Sequence, residues 1–251
     1  MLAAWCSPKG RVQVSGRLID IGESVGFVVP RTAADDVARR LLMYRFRAKV
    51  EIAVTAETPV AVACATDAVT GLDCQTPNDW LETARQGDAL CVGLGGGAVE
   101  LYAAGPAGAA TLGDLPTIDE DLWRQRRIEA GLVDVDESNA DRFTPHMLSL
   151  ERTGAVSFSK GCYTGQEIVA RTEHRGRVKR RIAGFRVSGD TPISPGAKLA
   201  FEGQEVGEVA AASRHALLAV INDQARGQAL EVAGVAAEPF PLPWEASDRS
   251  V

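Results

Sequence analysis

After Arg181 the chain breaks into short β-favouring runs, Ile182 to Val187, Lys198 to Phe201, Glu205 to Ala210 and Ala216 to Ile221, punctuated by Gly and Pro. Runs this short leave no room for long helices and predict a small antiparallel barrel or sandwich. The preceding sequence has a different texture. Arg11 to Ile21 and Val25 to Val29 read as two extended runs around the turn-forming Gly22-Glu23-Ser24, which predicts a hairpin. Thr32 followed by Asp35 gives a helix start, Val37, Leu41 and Leu42 recur at helical spacing, and Lys49 to Val54 returns to a strand pattern. A second block repeats the mixture. Val60 to Ala65 predicts a strand, Asn78 to Arg85 a short helix, and Ala89 to Leu94 with Val99 to Ala103 a strand pair around Gly95-Gly96-Gly97. No Lys-Ser or Lys-Thr follows those glycines and no helix opens there, so they read as a hairpin turn rather than a phosphate cradle.

The best-marked helix is Ile118 to Ala130: Thr117 and Glu120 form a capping box, Pro116 blocks backward extension and Gly131 supplies a stop. The expected class is α+β, with two α/β blocks and a C-terminal antiparallel β-barrel. The expected divisions are 1–111, 112–175 and 176–251.

Twenty-seven Lys and Arg against 33 Asp and Glu give a net charge of −6, which argues against a general polyanion binder and confines any nucleic-acid contact to a local patch. No segment approaches the roughly 20 apolar residues needed to span a bilayer, and the first residues lack a charged region followed by a long apolar stretch. The expectation is a cytoplasmic protein with no membrane partner. Cys6, Cys64, Cys74, Cys91 and Cys162 form an odd set with no Cys-x-x-Cys pair and no His at ligand spacing. They are expected to be reduced thiols, with no stably bound metal.

One of them stands in a distinctive run, Lys160-Gly161-Cys162-Tyr163-Thr164-Gly165-Gln166-Glu167. Thr164 and Glu167 make a second capping box, so Cys162 is expected just ahead of a helix N-terminus, where the dipole and Lys160 both favour thiolate. Gly161 and Gly165 let the backbone turn sharply and leave the sulfur open. A buried structural cysteine, the commonest fate of a free thiol, is the competing reading, and residue chemistry alone leaves the two level.

From Phe143 to Arg181 the chain carries KGCYTGQE, then IVAR, then His174-Arg175-Gly176 and Lys179-Arg180, and it later has Ala237-Glu238-Pro239 and Pro241-Leu242-Pro243-Trp244. In these stretches it resembles the YgfZ family of folate-binding, tRNA-modifying proteins, within the glycine-cleavage T-protein superfamily. The resemblance implies a T-protein-like fold whose two α/β blocks are ferredoxin-like. It also implies a role supporting iron–sulfur cluster assembly or repair and iron–sulfur enzymes such as tRNA methylthiotransferases, with tetrahydrofolate or a one-carbon derivative bound. The family's critical cysteine falls on Cys162, with Lys160 beside it; Glu129, Tyr163, Gln166, Glu167 and Arg175 are the implied folate contacts.

Glu129 also stands out by geometry, because it shares a helix face with Ile118 and Leu122, and an acid on such a stripe needs a partner. Arg126 at i−3 is one candidate and the donors of a pterin ring are the other. The run Arg127-Ile128-Glu129-Ala130-Gly131 is similar to the superfamily's Arg-Leu-Glu-Ala-Gly, whose glutamate contacts folate, and this favours the ligand.

Two departures bear on activity. Aminomethyltransferases of the superfamily have an acidic pair after the first glycine-led strand, whereas Gly10 to Arg17 holds no carboxylate here. Relatives also have a strand and helix before the point matched by Met1, and their absence would expose a sheet edge and part of the pocket wall. Finally, Arg171, Arg175, Arg177, Lys179, Arg180 and Arg181, with His174, crowd into eleven residues holding one acid, Glu173. This run could hold a folate glutamate tail or make a weak tRNA contact, or be a solvated loop. Three functions follow in order: a folate-binding accessory factor using Cys162, more an accessory than an enzyme; a folate-dependent aminomethyl transferase; and an RNA-binding module.

Overall fold

The central strand of the first sheet, Val12–Asp20 (β2), is covered on both faces: Val14 is buried on one, and Ser15, Arg17 and Ile19, at alternate positions, on the other. In the computed structural model, which describes residues 1–20, 24–55, 60–63, 77, 79–86, 89–103 and 119–247, the contacts divide the chain into two units. The first comprises Met1–Ala56 and Asp134–Arg181, the second Glu57–Val133 and Ile182–Val251.

In the first unit β2 pairs antiparallel with β1 (Leu2–Cys6) on one side and β3 (Val25–Val28) on the other. The β2–β3 hairpin is the expected one; β1 was not legible in the sequence. Helix α1 (Arg31–Met43) buries Ala33 and Val37 against Val14, with Trp5, Phe27, Val29 and Leu41 packed around them. The helix start read at Thr32–Asp35 is corrected: the helix begins at Arg31, Pro30, with extended ψ of 137°, is the N-cap, and no side chain caps the helix. Lys49 to Val54 is not a strand, and Val50 and Val54 are exposed. A strand needs a ladder partner, and no described residue supplies one.

The second part of this unit lies along β2. Val12 donates its N–H to the Phe143 carbonyl at 2.9 Å, and its own carbonyl accepts from Asp141 at 2.8 Å. The Val135 N–H donates to Ser15 Oγ at 2.9 Å. Helix α3 (Gln166–Arg175) follows, with Val169 buried.

The second unit holds a four-stranded sheet in the order β4-β7-β6-β5, from Val60–Ala63 (β4), Thr83–Gln86 (β5), Ala89–Gly95 (β6) and Ala98–Ala103 (β7). The expected helix Asn78 to Arg85 is corrected: Thr83–Gln86 pairs with Ala89 to Val92, so ladder pairing overrides the helix-forming bias of Leu81 to Arg85. The β6–β7 hairpin turns through Gly95, Gly96 and Gly97 at φ of 81°, 61° and 78°, as a glycine run permits. Helix α2 (Glu120–Glu129) starts two residues later than expected; the Asp119 carboxylate caps it, accepting from the Asp121 N–H at 3.1 Å. It stops at Gly131, at φ 73°, where an added Cβ would lie 2.5 Å from the Trp244 ring.

The expected barrel is present and closed. Strands β8 (Arg180–Val187), β9 (Lys198–Phe201), β10 (Gln204–Ala212), β11 (Ala216–Asn222), β12 (Leu230–Val232) and β13 (Val235–Phe240) join in the order β10-β11-β8-β13-β12-β9. Phe185, Leu199, Val209, Leu217 and Ile221 fill its core. A short helix α4 (Pro243–Ser247) follows. The expectation of wholly reduced thiols is corrected at Cys91, buried on β6, which is disulfide-bonded; Cys6 and Cys162 are free, and Cys64 and Cys74 lie outside the described residues. Among the described residues no helix is long and apolar enough to cross a membrane.

Candidate functional site

The thiol loop is anchored by two tight backbone approaches. Ser7 to Gly10 forms a turn in which the Gly10 N–H donates to the Ser7 carbonyl at 2.9 Å. This turn presses on Gly165: a Cβ there would meet the Ser7 oxygen at 2.4 Å and the Gly10 Cα at 3.0 Å. Gly165, at φ 81°, is the N-cap of α3, so the Thr164–Glu167 capping box is corrected too, Thr164 standing one position too early. Gly161 has open space around its Cα and no left-handed φ, so of the two flanking glycines only Gly165 is sterically required.

Cys162 is exposed in this loop, ahead of α3, which answers the question the sequence left open between an accessible and a buried thiol. Lys160 Nζ stands 4.8 Å from the Tyr163 ring centroid, a cation–π contact that orders the residues on either side of the sulfur. The Tyr163 hydroxyl is buried and has no hydrogen-bond partner among the described residues. Burial raises its pKa, and the neighbouring Cys6 adds to the shift. Gln166 is half-buried and Glu167 exposed on the first turn of α3, and Arg175 is its last residue.

Cys6 differs from Cys162. It is 7% exposed, and burial pushes its thiol up to about 11, with Lys160 opposing and Asp141 reinforcing the shift. At pH 8 such a thiol is ionised in roughly one molecule in a thousand. Brief alkylation with iodoacetamide followed by peptide mapping is therefore expected to modify Cys162 at least about a hundredfold faster than Cys6 until denaturant is added. Equal native-state rates would contradict the distinction.

Glu129 belongs to the second unit and already has partners there. Its Oε2 accepts from Arg126 at 2.9 Å, and its Oε1 from Gln125 at 3.1 Å and Arg186 at 3.0 Å. Burial alone would raise its pKa, but the hydrogen bonds from Gln125, Arg186 and Arg126 outweigh it and hold the carboxyl below its ordinary value. The bland partner Arg126 is thus realised, joined by Arg186 from the barrel, which sequence spacing could not indicate.

The basic run is partly structural. Arg181 pairs with Glu151 and donates to the His146 carbonyl at 3.2 Å, while Glu173 sits 3.0 Å from Nε2 of the buried His146. Arg171, His174, Arg177, Lys179 and Arg180 are exposed. Sequence reasoning missed a concavity of about 340 Å³ in the first unit, whose lining includes Trp5, Cys6, Arg39, Tyr44 and Thr164. It is formed in part by β1, and the signal lay in the aromatic residues flanking those arginines.

No protein-family model matches the chain. The tRNA-modifying protein YgfZ of Escherichia fergusonii is 32% identical over 191 residues, covering 72% of this chain and 59% of that protein. The proteins of the same name from Shigella boydii serotype 4 and Escherichia coli O139:H28 are 29% identical over 191 residues. The chain is a homologue of the YgfZ family. It spans 59% of the length of these curated relatives. The glycine cleavage system aminomethyltransferase T of Bartonella henselae is similar in structure, with a TM-score of 0.67 over 97% of this chain and 76% of that one. At 18% identity this likeness establishes the fold, the T-protein-like α+β architecture that the resemblance implied.

Proposed function

We propose that this chain binds a reduced folate and supports iron–sulfur-dependent tRNA modification in the cytoplasm, with Cys162 as its working thiol. The observation that supports this most is an exposed sulfur held in a loop that glycine packing fixes, beside a lysine and a buried tyrosine hydroxyl with no partner among the described residues. In this reading Cys162 meets the client iron–sulfur enzyme or its sulfur, with Lys160 beside it in the loop. Tyr163 would supply its hydroxyl to the ligand, with Gln166 and Glu167 from the first turn of α3 and Arg175 from its last as further contacts. Bound folate would supply the pterin and its one-carbon chemistry.

The donor set suits that group. A carboxylate offers about four lone-pair positions, and Glu129 accepts three hydrogen bonds. A bidentate pterin contact there would require release of one donor, and Arg126, a local i−3 partner that is itself partly exposed, is the easiest to release.

Two measurements test the reading. Cys162→Ser is expected to abolish rescue of tRNA methylthiolation in a deletion strain while leaving the melting temperature unchanged; normal rescue removes the thiol from the mechanism. Titration with a reduced folate is expected to show at least about tenfold weaker binding for Glu129→Ala, and equal affinity removes Glu129 from the pocket. The aminomethyl-transfer alternative would be supported instead by turnover of a methylene donor.

A further inference from the structure

A second cationic run lies far from Arg171 to Arg181, and it has the aromatic interleaving the first run lacks. Arg39-Arg40-Leu41-Leu42-Met43-Tyr44-Arg45-Phe46-Arg47-Ala48-Lys49 carries five cations and no acid, in a chain of net charge −6. It forms the end of α1 and the irregular segment after it, and residues 42–50 are exposed. Arg39 and Arg40 pair with Asp36, but Arg45, Arg47 and Lys49 make no ion pair among the described residues.

The aromatic residues are displayed in an unusual way. Phe46 is 85% exposed and sits at φ 44°, a left-handed conformation that bulky side chains rarely adopt. Tyr44 is 58% exposed, and its ring stands 5.9 Å from that of Trp5, tilted by 53°, on the wall of the 340 Å³ concavity. Because Trp5 and Tyr44 touch each other, a planar ligand would stack on the outward face of Tyr44 and on Phe46 rather than slip between the two rings.

We infer that Tyr44 to Lys49 is a binding platform for single-stranded RNA. Aromatic faces two residues apart, alternating with guanidinium groups, match the alternation of bases and phosphates along an unpaired strand. A membrane surface would call for apolar and cationic residues on opposite faces, and here they alternate along one strip. The Ala48 N–H donates to the Arg45 carbonyl at 2.9 Å, so the segment turns over Arg45 to Ala48 and offers a compact patch, room for roughly one or two nucleotides, rather than an extended track. The inference does not depend on the folate site or on Cys162.

The test is fluorescence anisotropy with a labelled 12-nucleotide single-stranded RNA, a duplex of the same sequence and vesicles of phosphatidylcholine with phosphatidylserine, using the full 251-residue chain. Tyr44→Ala with Phe46→Ala is expected to weaken single-strand binding about tenfold or more with little change in salt dependence. Arg45→Ala with Arg47→Ala should lower the slope of log K against log salt by about 1.4, roughly 0.7 per phosphate contact. Arg45→Ala with Arg47→Ala should keep the native melting temperature, and Tyr44→Ala with Phe46→Ala should lower it by no more than a few degrees, the loss of the Trp5–Tyr44 contact being worth about 1 kcal/mol. The inference is overturned by three results: no RNA binding, unchanged binding in both variants with loss in Arg171→Ala, or binding to the vesicles or duplex alone.

Discussion

Replacing Arg127 with alanine is expected to lower the melting temperature by roughly 10 °C. Glu100 on β7 is fully buried, and Arg127 on α2 donates to its Oε1 while the Tyr102 hydroxyl donates to its Oε2 at 2.7 Å. The Arg127 guanidinium also stacks 5.3 Å from the Trp123 ring. Truncation removes one guanidinium from a fully buried carboxylate, and breaking a buried ion pair from one side costs about 3–5 kcal/mol. For a chain of this size each kcal/mol moves the midpoint by about 2–4 °C. Removing both charges, as in Arg127→Met with Glu100→Leu, is expected to cost much less, because no stranded ion remains. Thermal melts of the single and double variants check this, and a single variant within 2 °C of wild type would refute it. The arginine in the run that resembles the superfamily's folate motif thereby has a structural duty.

Gly165→Ala is expected to be the most damaging conservative change in the thiol loop. The left-handed φ of 81° alone costs about 1–2 kcal/mol once a Cβ is present. The new methyl would also need the Ser7–Gly10 turn to retreat, since its distance to the Ser7 oxygen would be 2.4 Å, and overpacking of this kind adds about 1–3 kcal/mol. Melting should fall, and rescue should drop sharply although Cys162 is intact. Gly161→Ala, with nothing within 4 Å of its added carbon, should be near neutral on both measures. Equal behaviour of the two variants would show that the turn does not position the loop.

Four of the six barrel strands were legible as short β-favouring runs, whereas Leu230–Val232 and Val235–Phe240 were not singled out; the β6–β7 hairpin was legible because three glycines leave few alternatives to a turn. Elements decided by distant partners were not. Leu2-Ala3-Ala4-Trp5-Cys6 carries no strong strand signal and becomes β1 through pairing with β2. Lys49 to Val54 carries that signal and stays irregular for want of a partner among the described residues. The helix start at Thr32–Asp35 and the capping box at Thr164–Glu167 were misplaced for one reason: a pattern of side-chain types does not fix which residue leaves the helix, and at α1 and α3 Pro30 and Gly165 decided it by backbone geometry. At the candidate site, Cys162 was legible from its motif. Arg186 at Glu129 became visible only once the fold placed it, and the Tyr44 to Lys49 run, present in the sequence, gained meaning from its exposure.

The first unit is assembled from two stretches of chain with Glu57–Val133 between them. A ribosome therefore delivers Val12 long before Phe143, the residue whose carbonyl receives its N–H, and Gly165 emerges later still. Nascent chains therefore carry that unit unfinished until its second stretch has emerged. A message cut short before the thiol loop would yield a target for proteolysis rather than a smaller working protein.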